Sequence, residues 1–125
     1  HILAEEAKLL TSATSIGLYD AAELLRSLGG VAIPAHIDRP SFSLIANLGF
    51  YDAQMGFSEV EITRQCDKKL FVSEHPELNG LPYIIDSDAH DLIAIPDAQY
   101  ALELSSLDAE AVIKAIERGE LLGRL

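Results

Sequence analysis

An α/β fold assembled from parallel βαβ units is predicted by three features of the sequence. Short apolar runs recur at 31–35, 60–62 and 82–86, segments of helical periodicity stand between and after them, and Gly or Pro punctuates the joins. Read in order, the chain gives helix, strand, helix, strand, helix, strand, strand, helix. That alternation places strands side by side and helices over the sheet.

Residues 3–10 read as a helical or irregular lead-in, and 11–15 as a polar, β-branched break. Asp20 is the expected N-cap of a helix over 21–28, which Gly29-Gly30 closes. Residues 31–35 (Val-Ala-Ile-Pro-Ala) lack polar alternation, the pattern of a strand buried on both faces, with Pro34 near its end. A short helix over 42–48 stops at Gly49, with Asp38 the expected cap near its start, and 50–56 is a loop. A second strand at 60–62 leads to a helix over 67–73 and a turn through Pro76 and Gly80. The third strand spans 82–86, 92–96 is a loop, and 101–104 is a candidate fourth strand. Asp108 caps an amphipathic helix ending near Gly119.

Composition narrows the function. An apolar fraction of 49% with 23% charged residues is ordinary for a globular domain, and no apolar run reaches the roughly 18–20 residues of a membrane span. No membrane partner is expected. The net charge of −11 argues against nucleic acid, whose affinity for proteins rests on Lys and Arg displacing counterions. A single cysteine, Cys66, excludes an intrachain disulfide and favours a cytoplasmic setting. The chain opens on His1 without a basic stretch and apolar core, so no secretory signal is expected.

The chemistry concentrates at the ends of two predicted strands. In the run Ile85-Asp86-Ser87-Asp88-Ala89-His90, the residues Asp86, Asp88 and His90 are two apart. Extended backbone would turn all three to one face. A carboxylate beside an imidazole suits zinc, manganese or iron, although Asp-x-His alone also suits a turn or a helix start. His36 follows the 31–35 run directly and falls at the carboxyl-terminal strand edge where open α/β sheets carry their sites. Arg39, just beyond, offers a planar fork for a phosphate. Glu59 and Glu61 flank a strand and read as a solvated edge, His75 as an exposed loop residue, and Cys66 as structural.

The stretches Gly29-Gly30-Val31-Ala32-Ile33-Pro34-Ala35-His36 and Ser87-Asp88-Ala89-His90 resemble the third and fourth motifs of the PHP (polymerase and histidinol phosphatase) superfamily, closest to its small bacterial members. The resemblance covers most of the chain and implies that residues 1–125 are a partial PHP domain, the carboxyl-terminal part of a distorted (β/α)7 barrel. It further implies metal ligation by His36, Asp88 and His90, a hydrogen bond from Asp86 to a ligand, and no side-chain nucleophile. The implied activity is hydrolysis of a small phosphomonoester by metal-activated water.

The family's opening His-x-His pair has no counterpart, since residue 3 is Leu. The amino-terminal half of the barrel is therefore expected to lie outside this chain, with catalysis a property of a longer parent and the fragment inactive alone. Two alternatives accompany this reading: a non-catalytic assembly module, forming a homodimer through exposed sheet edges, and another metal hydrolase of amidohydrolase type.

Overall fold

The computed structural model describes residues 2–9, 13–98, 101–120 and 123–125. Among the described residues four α-helices, α1 (Leu18–Ser27), α2 (Leu44–Leu48), α3 (Lys68–Glu74) and α4 (Ala109–Glu117), accompany three short strands, β1 (Val60–Glu61), β2 (Pro82–Ile84) and β3 (Gly123–Arg124). The strands form one sheet in the order β1-β2-β3. β1 and β2 are parallel, with Val60 opposite Tyr83 and Glu61 opposite Ile84, whereas β3 runs antiparallel to β2. Among the described residues the βαβ unit expected from the alternation is thus present once, as β1-α3-β2.

A distorted (β/α)7 or TIM-like barrel, which the resemblance led us to expect, is not what the chain forms. The sheet is open and mixed, and strands of two or three residues with an antiparallel edge cannot supply the tilt and stagger that close a parallel barrel. Residues 101–104 are irregular rather than a strand. Residues 31–34 add no strand to the sheet. Only their far end is tied to β1, where Glu61 N donates to the Pro34 carbonyl (3.0 Å) and Ile37 N to the Glu61 carbonyl (2.9 Å). Ala35 and His36 are looped out between those two bonds. Pro34 itself has no N–H to offer.

Local signals set the helix ends. Asp67 caps α3 and Asp108 caps α4, each carboxylate accepting a backbone N–H three residues on (3.1 and 2.8 Å). Ser43, not Asp38, caps α2 by accepting from Ala46 N (3.0 Å), and Gly49 ends it with φ of 82°. α1 starts earlier than the Asp20 cap implied. Gly17 occupies the cap position, Asp20 N bonds back to its carbonyl, and the Asp20 carboxylate lies in the first turn, where the helix dipole favours it. The 31–35 run is preceded by a left-handed Gly29 (φ 79°), as the Gly-Gly pair predicted. Residues 3–9 are irregular and exposed, while His1, Leu10, Thr11 and Ser12 lie outside the described residues.

Ile37, Tyr51, Val60, Ile62 and Leu78 form the core, with Leu44, Ile45, Phe71, Tyr83 and Leu125 packed around them. α1 attaches elsewhere: buried Ala22 and Met55 bring it against the turn at Ala53–Met55, Arg26 donates to the Gly56 carbonyl, and the Tyr19 hydroxyl to Asp52 (3.1 Å). Since side chains alternate along a strand, Val60 and Ile62 point into the core and Glu59 and Glu61 to the opposite face. Glu59 is fully buried, neither carboxylate oxygen has a hydrogen-bond partner among the described residues, and burial pushes its pKa up to about 7. The carboxyl end of α4 covers it: Gly119, at φ 64°, lies so close to Pro82 that a Cβ there would come within 2.5 Å of the proline Cγ.

Two outcomes follow. Gly119→Ala adds backbone strain to a steric clash and should cost about 2–4 kcal/mol in chemical denaturation, against about 1–2 kcal/mol for Gly80→Ala, where φ is 80° but a Cβ would meet open space. Glu59 keeps its proton in the folded state up to about pH 7, whereas the unfolded chain releases it near 4.5. Its contribution to stability is therefore most favourable below the unfolded value and declines as pH rises to about 7. Denaturation midpoints between pH 5 and 8 should fall in the wild type and fall less in Glu59→Gln, the difference being on the order of 2 kcal/mol.

Candidate functional site

The residues 31–34, β1 and β2 lie side by side, so the segments that follow the first and last of them meet beyond the end of β1. They enclose a cleft of ≈ 550 Å³ whose walls include His36, Arg39, Glu61, Thr63, Asp86 and Asp88. His36 and Asp88, distant in sequence, come together here: His36 Nε2 is 4.0 Å from Asp88 Oδ2. His36 was expected at the end of a strand and instead lies in a turn after residues 31–34, which add no strand to the sheet, whereas Asp88 lies beyond the end of β2.

Both residues have a positive φ, uncommon outside glycine. Among the described residues the non-glycine positions with positive φ are His36 (30°), Phe42 (56°) and Asp88 (47°). Each such residue costs on the order of 1–3 kcal/mol, strain that persists where surrounding contacts hold it and that often accompanies function. The His36 ring is largely buried, and its Nδ1 has no hydrogen-bond partner among the described residues.

The positive φ of Asp88 also interrupts the extended run that would have set Asp86, Asp88 and His90 on one face. Asp86 Oδ1 accepts from Asp88 N (3.0 Å), closing a small turn. His90 lies on the other side of Asp88: its Nδ1 is 2.7 Å from the Asp88 carbonyl and 3.9 Å from Oδ1, and its side chain is 83% exposed. His90 does not line the cleft. Among the described residues, no three His, Cys, Asp or Glu side chains are grouped so as to hold a metal ion.

Arg39 is held at both ends. Its N–H bonds to the His36 carbonyl (3.0 Å), its own carbonyl accepts from Ser43 Oγ (2.8 Å), and its guanidinium donates to Asp88 Oδ2 at 2.9 Å. Asp38 fixes the far wall by accepting from both Thr63 N (2.8 Å) and the Thr63 hydroxyl. This double acceptance occupies the carboxylate that had been expected at the start of α2.

Glu61, which the sequence favoured as a solvated strand edge over a residue reaching the rim, lines the site. It is nearly buried at the floor of the cleft. Burial pushes its pKa up to about 7, reinforced by the charge and hydrogen bonding of Asp86 and by Asp88, and opposed by the His36 N–H. Its alternation with Val60 and Ile62 was the available signal. Cys66 fits its structural reading: burial first, then the Asp38 charge, raises the thiol to about 11, which leaves little thiolate near neutrality. His75 is half-buried against Phe71 (ring centroids 5.0 Å apart) rather than exposed.

No protein-family model, curated protein or solved structure matches the chain. Among the described residues no helix is long and apolar enough to cross a membrane.

Proposed function

We propose that this chain contributes part of a divalent-metal site to a phosphoesterase that hydrolyses a small phosphomonoester. The observation that carries the reading is the meeting of His36 and Asp88 in strained conformations at the mouth of one cleft. Their donors suit zinc, manganese or iron in kind, and at 4.0 Å they stand wider than the roughly 3.4 Å of tetrahedral ligands at bonds of about 2.1 Å, so an ion would have to draw them together. Two donors do not complete a coordination shell. His90 joins them only after its exposed ring turns towards the cleft, and the remaining ligands come from outside this chain.

In this reading the bound metal supplies an activated water and charge neutralisation at the phosphoryl group. The chain's own residues position the reactants. Asp86 holds the Asp88 backbone through Asp88 N. Arg39 faces the cleft with a guanidinium suited to two phosphate oxygens, and the Asp38–Thr63 bonds fix the opposite wall. The PHP resemblance of the two motifs supports the same chemistry, and an amidohydrolase-type reaction would draw on the same donors.

The test is metal content and calorimetric titration with zinc, manganese and iron, using protein purified without a nickel column, alongside His36→Ala and Asp88→Ala. Each variant should weaken binding by at least about tenfold, and Asp88→Ala in a longer parent protein should lower metal occupancy and phosphomonoester hydrolysis together. Full activity in that variant would rule out the metal role.

A second reading, a homodimerising module, is favoured by a different surface. Among the described residues no hydrogen bond reaches the backbone of Val31, Ala32 or Ile33. An apolar groove of ≈ 650 Å³ lined by Leu18, Leu25, Ile33, Leu48 and Phe57 runs beside them. Such an edge can pair with a second copy of itself. Sedimentation should then show a dimer that Ile33→Lys dissociates, and a wild-type monomer throughout would dismiss this reading.

A further inference from the structure

We propose, independently of the metal reading, that α4 is a pH-released cover on the sheet: it seats over β1 while Glu59 holds its proton and comes away as that carboxyl ionises.

The seat is held by apolar contact. Among the described residues, every hydrogen bond and ion pair of residues 108–120 closes within that segment: Asp108 with Ala111, Lys114 with Glu110, Arg118 with Glu120, and the backbone bonds of the helix and its ends. None of them ties α4 to the sheet. The helix buries Ala111 and Ala115, one turn apart on a single face, and its end sets Gly119 against Pro82. Side chains that small remove little apolar area from water, and that area sets the strength of the contact. A helix of nine residues is marginal in water once it leaves its seat. Release of α4 is therefore a local unfolding, within reach of a modest change beneath it.

Beneath it lies Glu59, fully buried, with neither carboxylate oxygen bonded among the described residues. A Cβ on Gly119 would stand 3.8 Å from Glu59 Oε1. Buried without a partner, this carboxyl is tolerated as the neutral acid and costly as the anion. The surrounding groups offer the anion no cation. Glu61 shares its face of β1, and Pro82 and Ile84 stand on that face of β2. Arg124, opposite Pro82 on β3, donates its guanidinium to the Gly80 carbonyl (2.9 Å). On the α4 side, Arg118 and Glu120 pair with each other, Lys114 pairs with Glu110, and these four and Glu117 are exposed. Burial raises the Glu59 pKa from 4.5 to about 7. The seated form thus keeps the proton that the released form gives up. Seating is firmest below pH 4.5, weakens by roughly tenfold per pH unit above it, and levels off near pH 7.

Hydrogen exchange of the whole chain, followed amide by amide by NMR from about pH 5 to 8 and corrected for intrinsic exchange at each pH, tests the release in wild type and Glu59→Gln. Circular dichroism confirms that the variant folds, and Glu59→Leu replaces it where it does not. Opening of the α4 amides should rise roughly tenfold per pH unit up to about pH 7 and then level off in wild type, and should stay flat in the neutral variant. The amides of Ile37 and Ile62, bonded to Glu61 and Ile84, should open at least about tenfold less often than those of α4 throughout. Opening of α4 that ignores pH, or that rises equally in the neutral variant, overturns the proposal. So does opening that keeps step with Ile37 and Ile62, which would make Glu59 a matter of global stability alone.

Discussion

Backbone pairing on both sides of β1 is the constraint that organises this molecule. Glu61 uses its N–H and carbonyl to hold Pro34 and Ile37, while Ile62 N bonds to the Ile84 carbonyl on the other flank. Three segments separated in sequence are thereby brought abreast, and the turns that follow 31–34 and β2 must meet. The pairing is short, so it relies on the packing of Val60 and Ile62 against Ile37, Tyr51 and Leu78, because a ladder of so few residues has little stability of its own.

The same strand carries a conflict between its two faces. Burying Val60 and Ile62 commits Glu59 and Glu61 to the opposite side, and both are buried there. Desolvation disfavours the ionised form of each. The two differ in surroundings. Glu61 has the His36 N–H and a cleft open to solvent, whereas Glu59 sits without a hydrogen-bond partner beneath the end of α4. An unpartnered buried carboxyl is tolerable as the neutral acid and costly as the anion, which ties the seating of α4 to protonation on β1.

Around the cleft, charge is arranged in layers. Asp86 and Asp88 face Arg39, and Glu61 lies beneath them with its proton retained longer than an ordinary carboxyl would retain it. His36 is set among these groups with a buried Nδ1 lacking a partner. Positive φ values fall on His36 and Asp88, two residues whose side chains stand 4.0 Å apart across the site.

Much of this was legible in the order of residues because it depends on local chemistry. Asp67, Asp108, Gly49 and Gly119 act at helix ends through bonds or dihedral angles set within a few residues, and the β1-α3-β2 unit follows from its apolar runs and the helix between them. Placing His36 just past the 31–35 run and Asp88 just past β2 needed only the position of those runs. What could not be read locally depended on pairing and alternation across the chain. The 31–35 run, apolar enough for a strand, is bonded only at its far end; β3 is two residues long and has no sequence signature; and the open sheet replaces the expected barrel. The direction of His90 turned on a single positive φ at Asp88, and the burial of Glu61 on which face of β1 the core claimed. Residue order specified the helix ends, since these arise from short-range bonding, whereas the meeting of His36 and Asp88 came from the pairing of distant segments with β1. Sheet closure, side-chain facing and the Arg39–Asp88 pair were settled by contacts between distant segments, whose energies appear only once the chain is folded.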